Sequence, residues 1–135
     1  MTIVVDASVA ARWFLDIEKS DAALALLNSG ERLIAPDLVI AEATNAAWKA
    51  RIFGQIPLET VVDFVQKSSR LFDELVPLAD LRNRAFDIAL VLKHPAYDCF
   101  YLALAEEREC RVVTADGRLR SRCANTRFAK LVKPL

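Results

Sequence analysis

Short apolar runs alternate along the chain with longer stretches in which apolar residues recur at helical spacing. The runs at residues 3–5, 33–35, 75–78, 112–115 and 131–132 are too short for helices. They lack the in/out polar alternation of a strand with one wet face, so they predict strands buried on both sides, as in a parallel sheet. Between them, residues 8–15 predict a first helix, Ser20 caps a second that ends at Gly30, and Asp37 caps a third that ends at Gly54. Pro57 suits the first turn of a fourth, running to about residue 72. Behind the candidate cap Asp80, Leu81, Ala85, Ile88, Ala89 and Leu92 form one stripe that stops at Pro95. A helix over 97–109 and a shorter one within 118–124 complete the pattern. Strands that alternate with helices in this way predict an α/β fold, a short parallel sheet flanked by helices in three layers.

At 135 residues and 54% hydrophobic content, the chain is expected to form one domain, 1–135. No apolar run approaches the roughly 20 residues of a membrane span, and Asp6 breaks the N-terminus before a signal-type apolar region forms, so a cytoplasmic address is expected. Eighteen basic and 18 acidic residues balance, but Arg118, Arg120, Arg122, Arg127, Lys130 and Lys133 follow Gly117 with no acid among them. That basic end admits a polyanionic partner without requiring one. Cys99, Cys110 and Cys123 show no C-x-x-C spacing and His94 is the sole histidine, which supports neither a disulfide framework nor a zinc site.

Four acids change the picture. Asp6 and Asp116 directly follow apolar strands, placing them at the carboxyl ends where open α/β sheets build their sites. Asp98 opens a helix after Pro95, and Glu42 interrupts the apolar stretch 38–43, where an unpaired charge is costly. A salt bridge to Glu42 is the competing explanation there, and helix capping or ordinary turns compete for the aspartates. Two carboxylates about 4 Å apart repel by roughly 4 kcal/mol at an effective dielectric near 20. A cluster of four therefore points to a hard divalent cation, magnesium or manganese.

The segments Val4-Val5-Asp6-Ala7-Ser8, Ala41-Glu42-Ala43-Thr44-Asn45, His94-Pro95-Ala96-Tyr97-Asp98 with the following Cys99 to Ala105, and Val113-Thr114-Ala115-Asp116 resemble, in this order, the motifs of PIN-domain ribonucleases, most closely the VapC toxins of toxin-antitoxin pairs. The resemblance implies a magnesium-dependent endoribonuclease, with manganese as a substitute, neutralised by a VapB-type antitoxin and forming a homodimer. It assigns catalysis to Asp6, Glu42, Asp98 and Asp116, metal binding to Asp6, Asp98 and Asp116, and supporting hydroxyls to Ser8 and Thr114. Glu42 is left to orient the attacking water or help hold a second ion. Hydrolysis by activated water leaves 5′-phosphate and 3′-hydroxyl ends.

Arg12, Lys49, Arg118, Arg120 and Arg122 are the candidate phosphate contacts. His94 is not required as a general base in such a mechanism, and Trp13, Phe14, Trp48 and Phe53 are expected in the core. Two rival classes stand beside the nuclease. One is a PIN-like RNA-binding or assembly module whose acids contribute little. The other is a phosphoryl-transfer domain with Asp6 as nucleophile, for which Asp6-Ala7-Ser8 lacks the second aspartate two residues on.

Overall fold

The structure, a computed structural model, describes all 135 residues. Its five strands are β1 (Thr2–Val5), β2 (Arg32–Pro36), β3 (Glu74–Val76), β4 (Arg111–Thr114) and β5 (Val132–Pro134). They form one sheet in the order β3-β2-β1-β4-β5, every pair parallel, with Val4 in register between Ile34 and Val112. Val4, Val5, Ile34, Ala35 and Val112 are wholly buried, which is why these strands read as continuous apolar runs.

Seven helices flank the sheet: α1 (Ala7–Ala11), α2 (Ser20–Leu27), α3 (Leu38–Ile52), α4 (Leu58–Lys67), α5 (Leu78–Leu92), α6 (Ala96–Glu107) and α7 (Gly117–Cys123). The result is the three-layer α/β/α architecture expected from the alternation. The chain starts at the central strand, builds outward through β2 and β3, then returns to the other side of β1 for β4 and β5. The direction of winding reverses between β1 and β4. Beyond the carboxyl ends of strands at such a reversal lies the usual ligand crevice of an open α/β sheet.

Helix α6 lies over β1 and β2 and against α5, and Cys99 and Tyr101 to Ala105 are all buried. The stripe Leu81, Ala85, Ile88 and Leu92 closes that layer from α5. A smaller second core, Ala11, Leu15, Ala43, Ala47, Val61 and Phe64, joins α1 to the α3–α4 pair, with Phe14 stacked over Phe64 at 5.4 Å. Each large side chain so buried stabilises the fold by about 1.5–3 kcal/mol. No single helix is long and apolar enough to cross a membrane.

Several local expectations shift. Pro77 opens α5 at Leu78, so β3 ends at Val76 rather than 78, and Asp80 lies within the first turn instead of capping it. Asp37 precedes α3 but does not cap it; its Oδ1 accepts the Leu78 N–H at 3.1 Å and fastens the start of α5. Ser20 is the first residue of α2, and its Oγ accepts the Ile17 N–H and lies 2.7 Å from the carbonyls of Leu15 and Ile17, serving the preceding loop. Helix α1 stops at Ala11, short of 15, and α4 stops at Lys67, followed by a 3-10 turn at Ser68–Leu71. Trp13 is in the core, against Phe72 and bonded through Nε1–H to the Ala23 carbonyl. Trp48 and Phe53 are not. They are 53% and 74% exposed and meet edge to face on the surface of α3.

Candidate active site

Asp6 is the N-cap of α1: its Oδ1 accepts the Val9 N–H at 3.2 Å and the Ser8 hydroxyl at 2.5 Å. Ser8 Oγ in turn accepts the Ala115 N–H at 3.0 Å and lies 3.4 Å from Thr114 Oγ1, which accepts the Asp116 N–H at 3.0 Å. The two hydroxyls thereby lace the end of β1 to the end of β4. Asp116 caps α7, its Oδ1 accepting the Arg118 N–H at 2.9 Å. Asp98 stands in the first turn of α6, and Glu42 reaches in from α3.

Each of the four carboxylates has one side-chain donor of its own. Ser8 serves Asp6, the Tyr101 hydroxyl serves Glu42 Oε1 at 2.5 Å, and His94 Nε2 lies 2.7 Å from Asp98 Oδ2. Arg118 grips Asp116 with Nε at 3.2 Å and Nη2 at 2.9 Å from Oδ2. A hydroxyl fixes a carboxylate without cancelling its charge, whereas a guanidinium does both. The electrostatics divide accordingly. Burial raises the Asp6 carboxyl above the ordinary range, the Ser8 and Thr114 hydroxyls and the Val9 N–H offset part of that, and the charge of Asp98 adds to it. Burial also raises Glu42, opposed by the Tyr101 bond and reinforced by Asp98 and Asp6. Asp116 is lowered, first by the Arg118 side chain.

The chain therefore brings Asp6, Glu42 and Asp98 within range of one another's charge and turns Asp116 toward Arg118. No three of its His, Cys, Asp and Glu side chains stand close enough to grip one ion as they are placed, so convergence of all four acids is only partial. The donor set still suits a hard cation: oxygen ligands from all four acids, two of them destabilised as anions. Burial pushes the Cys99 thiol, beside Asp98, up to about 12, which leaves no thiolate to act as nucleophile.

A cavity of about 510 Å³ adjoins Glu42, lined among others by Ser8, Arg12, Asn45, Lys49 and Tyr97. It is smaller than a concavity of about 860 Å³ at the opposite ends of the strands, around Thr2, Arg111 and Lys133, which holds none of the four acids. The chemistry points to the smaller one. Lys49 is exposed there, but the Arg12 guanidinium is partly committed, donating to the carbonyls of Glu18 at 2.8 Å and Ser8 at 2.6 Å. Arg120 and Arg122 are exposed on α7.

Tyr101 was invisible as a site residue while it read as one more apolar position in Phe100 to Ala105. Its spacing held the signal, because a residue three after Asp98 shares its helix face. His94, by contrast, precedes α6 and reaches Asp98 from the turn before Pro95.

Comparison with known proteins agrees with this geometry. The PIN domain family model matches residues 3–125. Ribonuclease VapC3 of Pyrobaculum aerophilum is 30% identical over 138 residues, covering 99% of this chain and all of the relative. Ribonuclease VapC9 of Mycobacterium tuberculosis is 34% identical over 117 residues, 87% of each chain. Among solved structures, VapBC2 from Rickettsia felis bound to a DNA fragment from its promoter superposes with a TM-score of 0.68 at 12% identity, over 100% of this chain and 99% of the other, a likeness of fold. The chain belongs to the PIN-domain family, in its VapC branch.

Proposed function

We propose that this protein is the toxin of a toxin-antitoxin pair, an endoribonuclease that depends on magnesium, with manganese able to replace it. The observation that carries the reading is the group Asp6, Glu42 and Asp98 at the winding reversal of the sheet, where burial and then neighbouring acid charge raise Asp6 and Glu42. Capping α1 would account for Asp6 by itself, but not for gathering Glu42 and Asp98 beside it, where ionising Asp6 and Glu42 opposes folding. The ribonuclease names of the two relatives support the same direction.

Asp6, Asp98 and Asp116 are the residues that would hold the cation. When bound, it supplies positive charge for the scissile phosphate and makes water acidic enough to attack near neutral pH. Glu42 would orient that water or help hold a second ion, with one oxygen held by Tyr101. Ser8 and Thr114 keep the Asp6 and Asp116 backbones at a fixed separation across the sheet edge. Lys49, the uncommitted edge of Arg12 and the Arg118, Arg120 and Arg122 group would carry the RNA backbone on either side.

A VapB-type antitoxin and a homodimer are part of the same proposal. The exposed Trp48, Ile52, Phe53 and Leu58 form an apolar surface at the α3–α4 end, more than a lone chain needs. Incubating the purified protein with RNA, with and without EDTA, tests the reading. The expected result is cleavage that EDTA stops and magnesium restores, leaving 5′-phosphate ends. Cleavage indifferent to EDTA, or 2′,3′-cyclic ends, would contradict it.

A further inference from the structure

Tyr101 is 1% exposed and among the largest wholly buried side chains, yet it carries a hydroxyl. A buried phenol needs a partner, and the one this hydroxyl has is Glu42 Oε1 at 2.5 Å, across 59 residues of sequence. The donor cannot readily become an anion, because burial first, then the charge and hydrogen bond of Glu42, hold the phenol well above its ordinary value. The acceptor is fixed in turn. Among the side chains, Asp6 and Asp116 also take backbone N–H groups, while Glu42 has the phenol alone. The ring that presents the hydroxyl is locked in the layer where α6 covers β1 and β2, on the same helix face as Asp98. The main core thus sets the position of a carboxylate on α3, a helix whose own buried residues belong partly to the smaller core.

We propose that Tyr101 is a positioning residue: it commits Glu42 Oε1 to α6 and leaves Oε2 as the single Glu42 oxygen offered to the reaction. Glu42 then engages water or cation through one atom, in an orientation fixed relative to Asp98 because both are referenced to α6. The proposal rests on the ribonuclease reading for the reaction but not for the hydrogen bond.

The experiment compares the parent, Tyr101→Phe, Glu42→Ala and the double variant. Phenylalanine keeps the ring and removes the donor. In Tyr101→Phe, kcat for RNA cleavage is expected to fall about tenfold or more, in the range typical of lost outer contacts at a metal site, with KM for RNA unchanged. Manganese affinity, followed by electron paramagnetic resonance without RNA, is expected to fall with Tyr101→Phe in the Glu42 background and not to change further in the Glu42→Ala background. A manganese loss as large in the Glu42→Ala background as in the Glu42 background, or parental kcat in Tyr101→Phe, would overturn the proposal, whereas a fallen kcat with manganese affinity unmoved in both supports it with Oε2 serving water. Should Tyr101→Phe fail to hold its fold, the double variant decides: removing both ends of the bond restores folding if pairing is what the hydroxyl provides, and does not if it serves the core. A parent that cuts no RNA would sink the ribonuclease reading, while the manganese cycle would still report on Tyr101.

Discussion

The two sides of the candidate site treat their acids in opposite ways. Asp6 and Glu42 sit under protein, take hydroxyl donors and are pushed up in pKa, so the fold holds them at its own expense. Asp116, just beyond β4, takes a guanidinium and is pulled down, so the fold gains from its ionisation. Glu74, on the far side of the sheet, belongs to the second kind. Hydrogen bonds from Arg108 first and Arg32 next lower it to about 2. An acid paired to a cation already has a structural reason to be there. Asp6 caps α1 and Glu42 takes a phenol, but neither has a guanidinium and both are crowded by other acids, and that contrast, more than the presence of four acids, marks Asp6 and Glu42 with their neighbour Asp98 as the functional half.

The sharpest way to break the comparison is to neutralise one of the clustered acids. Asp98→Asn or Asp6→Asn is expected to reduce RNA cleavage by about a hundredfold or more, measured on a labelled RNA, with the far-ultraviolet spectrum unchanged. The same Asp6→Asn variant is expected to be more stable than the parent in EDTA, by about 1–2 kcal/mol at pH 7 in urea unfolding. A carboxyl whose folded pKa exceeds its unfolded one favours folding at low pH and loses that contribution as pH rises through the folded value. The gain from Asp6→Asn should therefore vanish near pH 4 and grow above it.

On the other side, Arg118→Gln is expected to leave folding intact, weaken RNA binding severalfold and reduce its salt slope by about 1, measured by anisotropy across a salt series in the Asp98→Asn background. An unchanged slope would make Arg118 a partner of Asp116 only. The smallest effect belongs to Glu74→Gln, about 1 kcal/mol of lost stability at pH 7 for a solvent-screened pair. Because the folded pKa of Glu74 is lowered, that contribution is present above the unfolded value and disappears as pH falls toward about 2, the reverse of Asp6.

The fold was largely legible because buried parallel strands are short, apolar and separated by helices, and the backbone has few other ways to satisfy such a pattern. The exceptions are local and chemical. Asp37 precedes α3, but its side chain bonds to Leu78, a partner 41 residues away that no window on the sequence contains. Trp48 and Phe53 look like core residues by type, yet α3 turns its buried alanines inward and leaves both rings outside. At the site, the four acids could be listed from their places after strands and within α3 and α6. What could not be read was their inequality, which comes from which donor each meets in space. Arg118 is two residues from Asp116 and so was near at hand, whereas Tyr101 meets Glu42 only because α6 and α3 converge over the sheet edge.

The central claim, that the clustered acids are kept for a cation, is tested most directly by thermal unfolding with magnesium against EDTA, in the parent and in Asp98→Asn. A ligand bound only by the folded state adds about 1.4 kcal/mol at ten times its dissociation constant. Magnesium is predicted to raise the melting temperature of the parent, by less as the pH is lowered and protons compete for the raised Asp6 and Glu42 carboxyls, and to leave Asp98→Asn unmoved. No shift in the parent at millimolar magnesium, or the same shift in the variant, would contradict the account.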